Sequence, residues 1–196
     1  MGYTHYWYCH KEIEPQTFSR IARDLRCLLP VFKNLNIQLA GGEGDGEPEI
    51  DDEIICFNGS RHCGHPKDTS IVIPWPAKDA TGIAVPGEDV RSGSWPAGVL
   101  LQKRACDGDC SYETFCLPRV FTDSEWQKPE NGLYFDFCKT AFRPYDMAVT
   151  ACLVIAKHYL QDKIVVRSDG DDDQWQDAKW LCQIELGYGL DFHLDP

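Results

Sequence analysis

The residues best suited to chemistry are Lys139, Thr140, Arg143 and Tyr145. They share one turn, between the alternating run Leu133 to Cys138 and an apolar run that begins after Pro144. Two cations and two hydroxyls at the start of a helix would join free backbone N–H groups and the positive end of the helix dipole. Such a pocket takes a phosphate, carboxylate or sulfate. The competing arrangement pairs Lys139 and Arg143 with Asp136 and Asp146 and leaves Thr140 as a simple cap. A Walker-type glycine loop is absent, which argues against a nucleoside triphosphatase of that class.

A second candidate is Ser168-Asp169-Gly170, at the end of the next extended run. If the two runs are parallel neighbours, Asp169 lies beside Lys139 and Arg143. There it would act as a general base or hold a divalent cation. The same triplet before a helix is also an ordinary turn and cap. Asp171 to Asp173 lack the spacing of an EF-hand loop and suit the start of a helix. His5 stands among Tyr3, Tyr6, Trp7 and Tyr8. Strand alternation puts it on one face with Tyr3 and Trp7. Imidazole titrates near neutral pH, so His5 and Asp169 are the acid–base candidates, although a lone strand histidine more often serves structure.

Cysteine and histidine raise a separate question. His62, Cys63 and His65 cluster, and Cys106, Cys110 and Cys116 follow later. Zinc takes such residues in tetrahedral sets. No Cys-x-x-Cys occurs, and the spacings match no finger or ribbon, so the sequence assigns no metal ligands. Cys106 and Cys110 flank Asp107-Gly108-Asp109 and would also close as a small disulfide loop in an oxidising compartment. Neither Gly-x-Ser-x-Gly nor a thiol-protease signature is present.

The elements that must position these groups are legible in outline. Thr4 to Tyr8 is aromatic and β-prone. Pro15 suits a first helical position, and Phe18, Ile21, Ala22, Leu25, Leu28 and Leu29 form one helical stripe that Pro30 should end. Arg20 and Asp24 are spaced as a pair on its polar side. Ile37 to Ala40 reads as a strand, Glu43 to Glu53 as an acidic loop, and Ile54 to Phe57 as a strand ending in an Asn58-Gly59 turn. Residues 60 to 110, rich in proline (Pro74, Pro76, Pro86, Pro96) and glycine, read as an irregular insertion or lid with short strands such as Ile71 to Ile73. Glu113 to Val120 and Lys163 to Arg167 read as strands. The run after Pro144 is apolar nearly all round and should be a covered central helix. Asp171 to Asp173 open a last helix that turns Trp175, Ala178, Leu181 and Cys182 inward.

Four stretches taken together resemble a family of phage, bacterial and fungal proteins. They are Met1-Gly2-Tyr3-Thr4-His5-Tyr6-Trp7, Cys56-Phe57-Asn58-Gly59, Tyr112-Glu113-Thr114-Phe115, and Phe135 to Thr140 running through Arg143-Pro144-Tyr145-Asp146 to Ser168-Asp169-Gly170. The resemblance spans most of the chain outside its irregular middle and implies no reaction, substrate or cofactor.

Composition narrows the classes. The 196 residues suit one domain, and 43% hydrophobic content can bury a core. The net charge of −12 disfavours duplex nucleic acid and anionic membranes as partners. No run approaches the ~20 apolar residues of a membrane span, and the N-terminus carries no secretory pattern, so the chain reads as soluble and cytoplasmic. The ten cysteines are then expected mostly as reduced, buried side chains. The expected fold is α/β or α+β, with a mixed sheet, three main helices, a C-terminal β-α-β-α unit and the long insertion. The expected function is binding of a small anionic molecule by Lys139, Thr140, Arg143 and Tyr145. The chain would act as a binding protein or as a hydrolase using His5 and Asp169. The alternative is a structural or interaction protein that uses its acidic surface without catalysis.

Overall fold

Strand β1 (Thr4–Cys9) organises the fold because both of its edges are used. The computed structural model describes residues 2–67, 69–75, 83–86, 100–122 and 132–196, with the backbone alone for 69–75, 83–86, 100–103 and 105. Pro76 and Pro96 lie outside the described residues. On one side β1 pairs antiparallel with β10 (Ile164–Ser168), His5 opposite Ser168. On the other it pairs antiparallel with β9 (Tyr134–Lys139), His5 opposite Cys138. β9 and β10 therefore run in the same direction, as a β-α-β unit requires, but they are not neighbours. β1 separates them.

The helix joining them, α2 (Asp146–Leu160), is buried on every side from Asp146 to Ala156. Helices α1 (Pro15–Asn34) and α3 (Gln176–Leu186) pack against it, and the inward residues of the sheet, Trp7, Cys9, Cys138, Ile164 and Val166, join the same core. This is the α/β content expected, with three α-helices among the described residues and C-terminal strand-helix elements. The strand pairs described are, however, all antiparallel where a mixed sheet was expected, because β1 enters between β9 and β10. α1 starts where its capping chemistry allows. Glu14 accepts from the N–H groups of Gln16 and Thr17, and Pro15 occupies the first turn, where no donor is missed. It does not stop at Pro30. It continues to Asn34, because burying Phe32 and Leu35 in the core outweighs one lost hydrogen bond. Asp24, expected on the polar side with Arg20, is buried instead. It accepts from the hydroxyls of Tyr159 and Tyr188, each at 2.7 Å, and from Arg23.

A second sheet centres on β4 (Ile54–Gly59), which pairs antiparallel with β2 (Leu39–Ala40), β3 (Glu49–Ile50) and β8 (Phe115–Pro118). Asn58 and Gly59 belong to this strand and make no turn. Asn58 is buried, donating to the carbonyls of Gly42 and Tyr112 and accepting from the Gly59 and Tyr112 N–H groups. Cys56 lies directly opposite Cys116 in the β4–β8 ladder, and the two form a disulfide with Cα atoms 4.3 Å apart. The expectation of thiols fails for this pair, because partner register is not visible in either strand alone. The segment expected to be irregular contributes β5 (Thr69–Trp75), β6 (Ile83–Pro86) and β7 (Leu100–Cys106), a sheet in the order β6-β5-β7. No helix among the described residues is long and apolar enough to cross a membrane.

Trp7 is fully buried at the meeting of the sheet and the helices. Trp7→Ala is expected to cost about 3–5 kcal/mol of stability, measured by urea denaturation.

Candidate metal centre

Two short turns meet at the end of β7. The chain after β4 supplies Cys63 and His65, separated by Gly64 at φ 73°. The end of β7 and its following turn supply Cys106 and Cys110, with Gly108 between them at φ 74°. The left-handed conformation, which glycine adopts without penalty, reverses each chain so that both of its ligand atoms face one point. The second turn is anchored by the Cys110 N–H to the Ser60 carbonyl at 3.1 Å. Gln38 holds the first by donating to the Cys63 carbonyl at 2.8 Å.

The four ligand atoms all lie within 4.8 Å of one another. Cys63 Sγ is 3.6 Å from Cys106 Sγ, which is 3.2 Å from Cys110 Sγ. His65 Nδ1 lies 3.4 Å from both Cys106 and Cys110. A tetrahedron around zinc with bonds of about 2.3 Å to sulfur has edges of about 3.8 Å. These four edges are slightly shorter, and they would open by a few tenths of an ångström around an ion. The three sulfurs are buried and His65 is half-buried. Hydrogen bonds from Cys110 and His65 lower the Cys106 thiol against the effect of burial, whereas burial raises Cys63. Hydrogen bonding to Cys106 and burial raise Cys110. Three buried sulfurs cannot all carry charge without a cation among them. Four protein ligands leave no position for water, the pattern of a structural rather than a catalytic centre.

Two residues before Cys106 on β7, and on the same face, stands Arg104. It is fully buried, 2.5 Å from Asp177 and 3.3 Å from Asp146, with its guanidinium 4.2 Å above the Phe142 ring. Phe142 and Ala141 both have positive φ, 58° and 50°. Such conformations cost about 1–2 kcal/mol each for L-residues and persist only where surrounding contacts hold them. Asp146 also accepts from His5 Nε2 at 2.8 Å and from the Thr140 hydroxyl at 2.5 Å. His5 Nδ1 is 3.0 Å from Ser168 Oγ, which accepts from the Gly170 N–H at 3.0 Å. A carboxylate only accepts, so His5 Nε2 donates to Asp146. Burial pushes the Asp146 carboxyl up, but His5, Arg104 and Thr140 outweigh it and bring it below the ordinary value. For Asp177 burial prevails over Arg104 and the carboxyl is raised.

The sequence-derived candidates divide around this network. Thr140 is fully buried and bound to Asp146, and the buried Tyr145 hydroxyl donates to the Glu113 carbonyl at 2.6 Å. Lys139 is half-buried, with its backbone N–H on Glu113 at 2.8 Å and its Nζ 5.6 Å from the centre of the Tyr112 ring. Arg143 is half-buried, its N–H donating to the Thr140 carbonyl. The positive end of α2 is met by the protein's own Asp146, whose cationic partner is Arg104, with His5 donating beside it, rather than Lys139 or Arg143. His5 faces inward and is fully buried. Asp169 is exposed and accepts from the Tyr6 hydroxyl at 2.9 Å, so the two acid–base candidates are not in contact. Sequence reasoning missed Arg104 and Asp177, and it did not divide the cysteines into a ligand set. A usable signal was present: two pairs of metal-binding residues, each spanning a glycine, in Cys63-Gly64-His65 and Cys106-Asp107-Gly108-Asp109-Cys110.

No protein-family model matches the chain, and no curated protein or solved structure matches it either.

Arg104→Met would strand two buried carboxylates. It is expected to destabilise the protein by about 3–5 kcal/mol at pH 7. Without its cation Asp177, already raised by burial, rises further above its unfolded value, so stability falls as pH rises through that window. The deficit should therefore be smaller at pH 5 than at pH 7, read by urea denaturation at both.

Proposed function

We propose that this protein is a zinc-dependent structural or interaction module, in which Cys63, His65, Cys106 and Cys110 hold one zinc ion. The convergence of those four ligand atoms on one point carries the reading. The ion closes the turn after β4 onto the end of β7. Its chemistry when bound is that of a staple: it neutralises buried thiolates and fixes two distant chain segments. The segments joined are 43 residues apart between Cys63 and Cys106, so the closure removes a large entropy from the unfolded chain. The reading is that of a binding or scaffolding protein. Catalysis at His5 finds little support, since its ring is enclosed and its partners are protein side chains. The proposed anion site finds little more, because the hydroxyls of Thr140 and Tyr145 are already committed.

Metal analysis of protein purified without chelator is expected to give one zinc per chain. Cobalt exchanged into the site should show the intense visible bands of a tetrahedral thiolate complex. Cys110→Ser should lower both, while Cys27→Ser, at an exposed position outside the cluster, should leave both intact. Stoichiometric protein with no metal, and no cobalt spectrum after reduction, would remove the proposal.

A further inference from the structure

The sheet β10-β1-β9 has an inward face under α2 and an outward face that no helix among the described residues covers. Alternation sends Tyr6 and Tyr8 of β1, Phe135, Phe137 and Lys139 of β9, and Val165 and Arg167 of β10 outward. The register sets them in rows. Tyr6 lies between Arg167 and Phe137, Tyr8 between Val165 and Phe135, and Thr4 beside Lys139. Phe137 is 46% exposed, and Tyr112, beneath the Lys139 ammonium, is 45% exposed. The rings form one surface. Phe135 lies 5.8 Å from Phe137 at 23° between planes, 6.3 Å from Tyr6 at 18°, and 5.1 Å from Tyr8 at 47°.

We propose that this aromatic sheet face is a stacking platform for single-stranded nucleic acid. Every base offers a π-face, so a row of partly exposed rings led by the exposed Phe137 binds splayed bases with little regard to sequence. The cations on the face suit the phosphates. Arg167 lies 5.6 Å from the centre of the Tyr8 ring and Lys139 the same distance from that of Tyr112, and neither is held by a carboxylate among the described residues. Asp169 sits at the edge and is engaged by the Tyr6 hydroxyl. A second copy of the chain is a poorer occupant. It would bring the same two cations into a dry interface, with Asp169 the acid at its rim. The net charge of −12 opposes a polyanion, but at 0.1 M salt charges beyond about 10 Å are screened, and the local face is basic. Duplexes, whose bases are already stacked, gain nothing from the rings.

The test is fluorescence anisotropy of labelled short mixed-sequence single strands, RNA and DNA, titrated with the full-length protein. Single strands are expected to bind and the matching duplex not to. With two phosphates contacted, log affinity should fall against log salt with a slope of about −1.4. Phe137→Ala should weaken binding about tenfold. Arg167→Gln should flatten the slope by about 0.7. Both positions are exposed, and unchanged far-UV circular dichroism and thermal unfolding would establish that the variants fold. Absence of single-strand binding, equal binding of duplex, or a Phe137→Ala variant that binds like the parent would each overturn the proposal. So would self-association in sedimentation that Phe137→Ala abolishes, which would assign the face to a second copy. The reading is independent of the zinc centre, whose failure would show in metal content and not in these titrations.

Discussion

The Arg104 guanidinium between Asp146 and Asp177 is the interaction on which the rest of the structure depends. A fully buried cation is tolerable only if opposite charges surround it, and here they come from the starts of two different helices. Asp146 begins α2 and Asp177 lies in the first turn of α3, where a carboxylate also suits the helix dipole. Asp146 in turn fixes His5 at the centre of the sheet and Thr140 in the turn after β9. One arginine thus ties β7, β1, the β9–α2 turn and two helices into a single arrangement. Buried networks of this kind gain their strength from the low dielectric around them and become costly if one member is lost.

Such a residue needs its own strand held in place, and the proposed metal centre would do this. Cys106 is the next inward position after Arg104 on β7. A zinc ion on Cys106 and Cys110, clamped to Cys63 and His65, would stop the end of β7 from fraying and keep the guanidinium at its carboxylates. The proposed staple and the charge network would then be two ends of one device. The disulfide between Cys56 and Cys116 fixes the adjoining sheet at β4, from whose end the turn carrying Cys63 and His65 departs.

The two faces of the three-stranded sheet are built on opposite principles. Inward residues of β1 alternate among a histidine, a tryptophan and a cysteine, all nearly inaccessible, and they fix the fold. Outward residues are tyrosines matched by phenylalanines on β9, and they spend their area on solvent. Apolar area left exposed is unfavourable unless something covers it, which is why the proposed stacking platform lies on the outward face.

Much of the scaffold was legible in the sequence because it depends on local periodicity. The alternation in Thr4 to Cys9, the stripe of α1, the all-round apolar character of α2 and the acidic opening of α3 each follow from which neighbours share a face. Helix α1 overran Pro30 because tertiary burial of Phe32 and Leu35 is worth more than a single backbone bond, a comparison no local pattern contains. The candidate site was legible only in fragments. His5 and the Thr140 to Asp146 turn stood out by type, and the metal-binding residues by clustering. What the tertiary structure alone decided was partnership. β1 enters between β9 and β10, so His5 meets Asp146 and Ser168 rather than Asp169. Strand β7 folds back from a segment read as irregular and delivers Arg104 and Cys106. Residue types and periods are properties of the chain, whereas which charge faces which across many residues is set by the packing of whole elements.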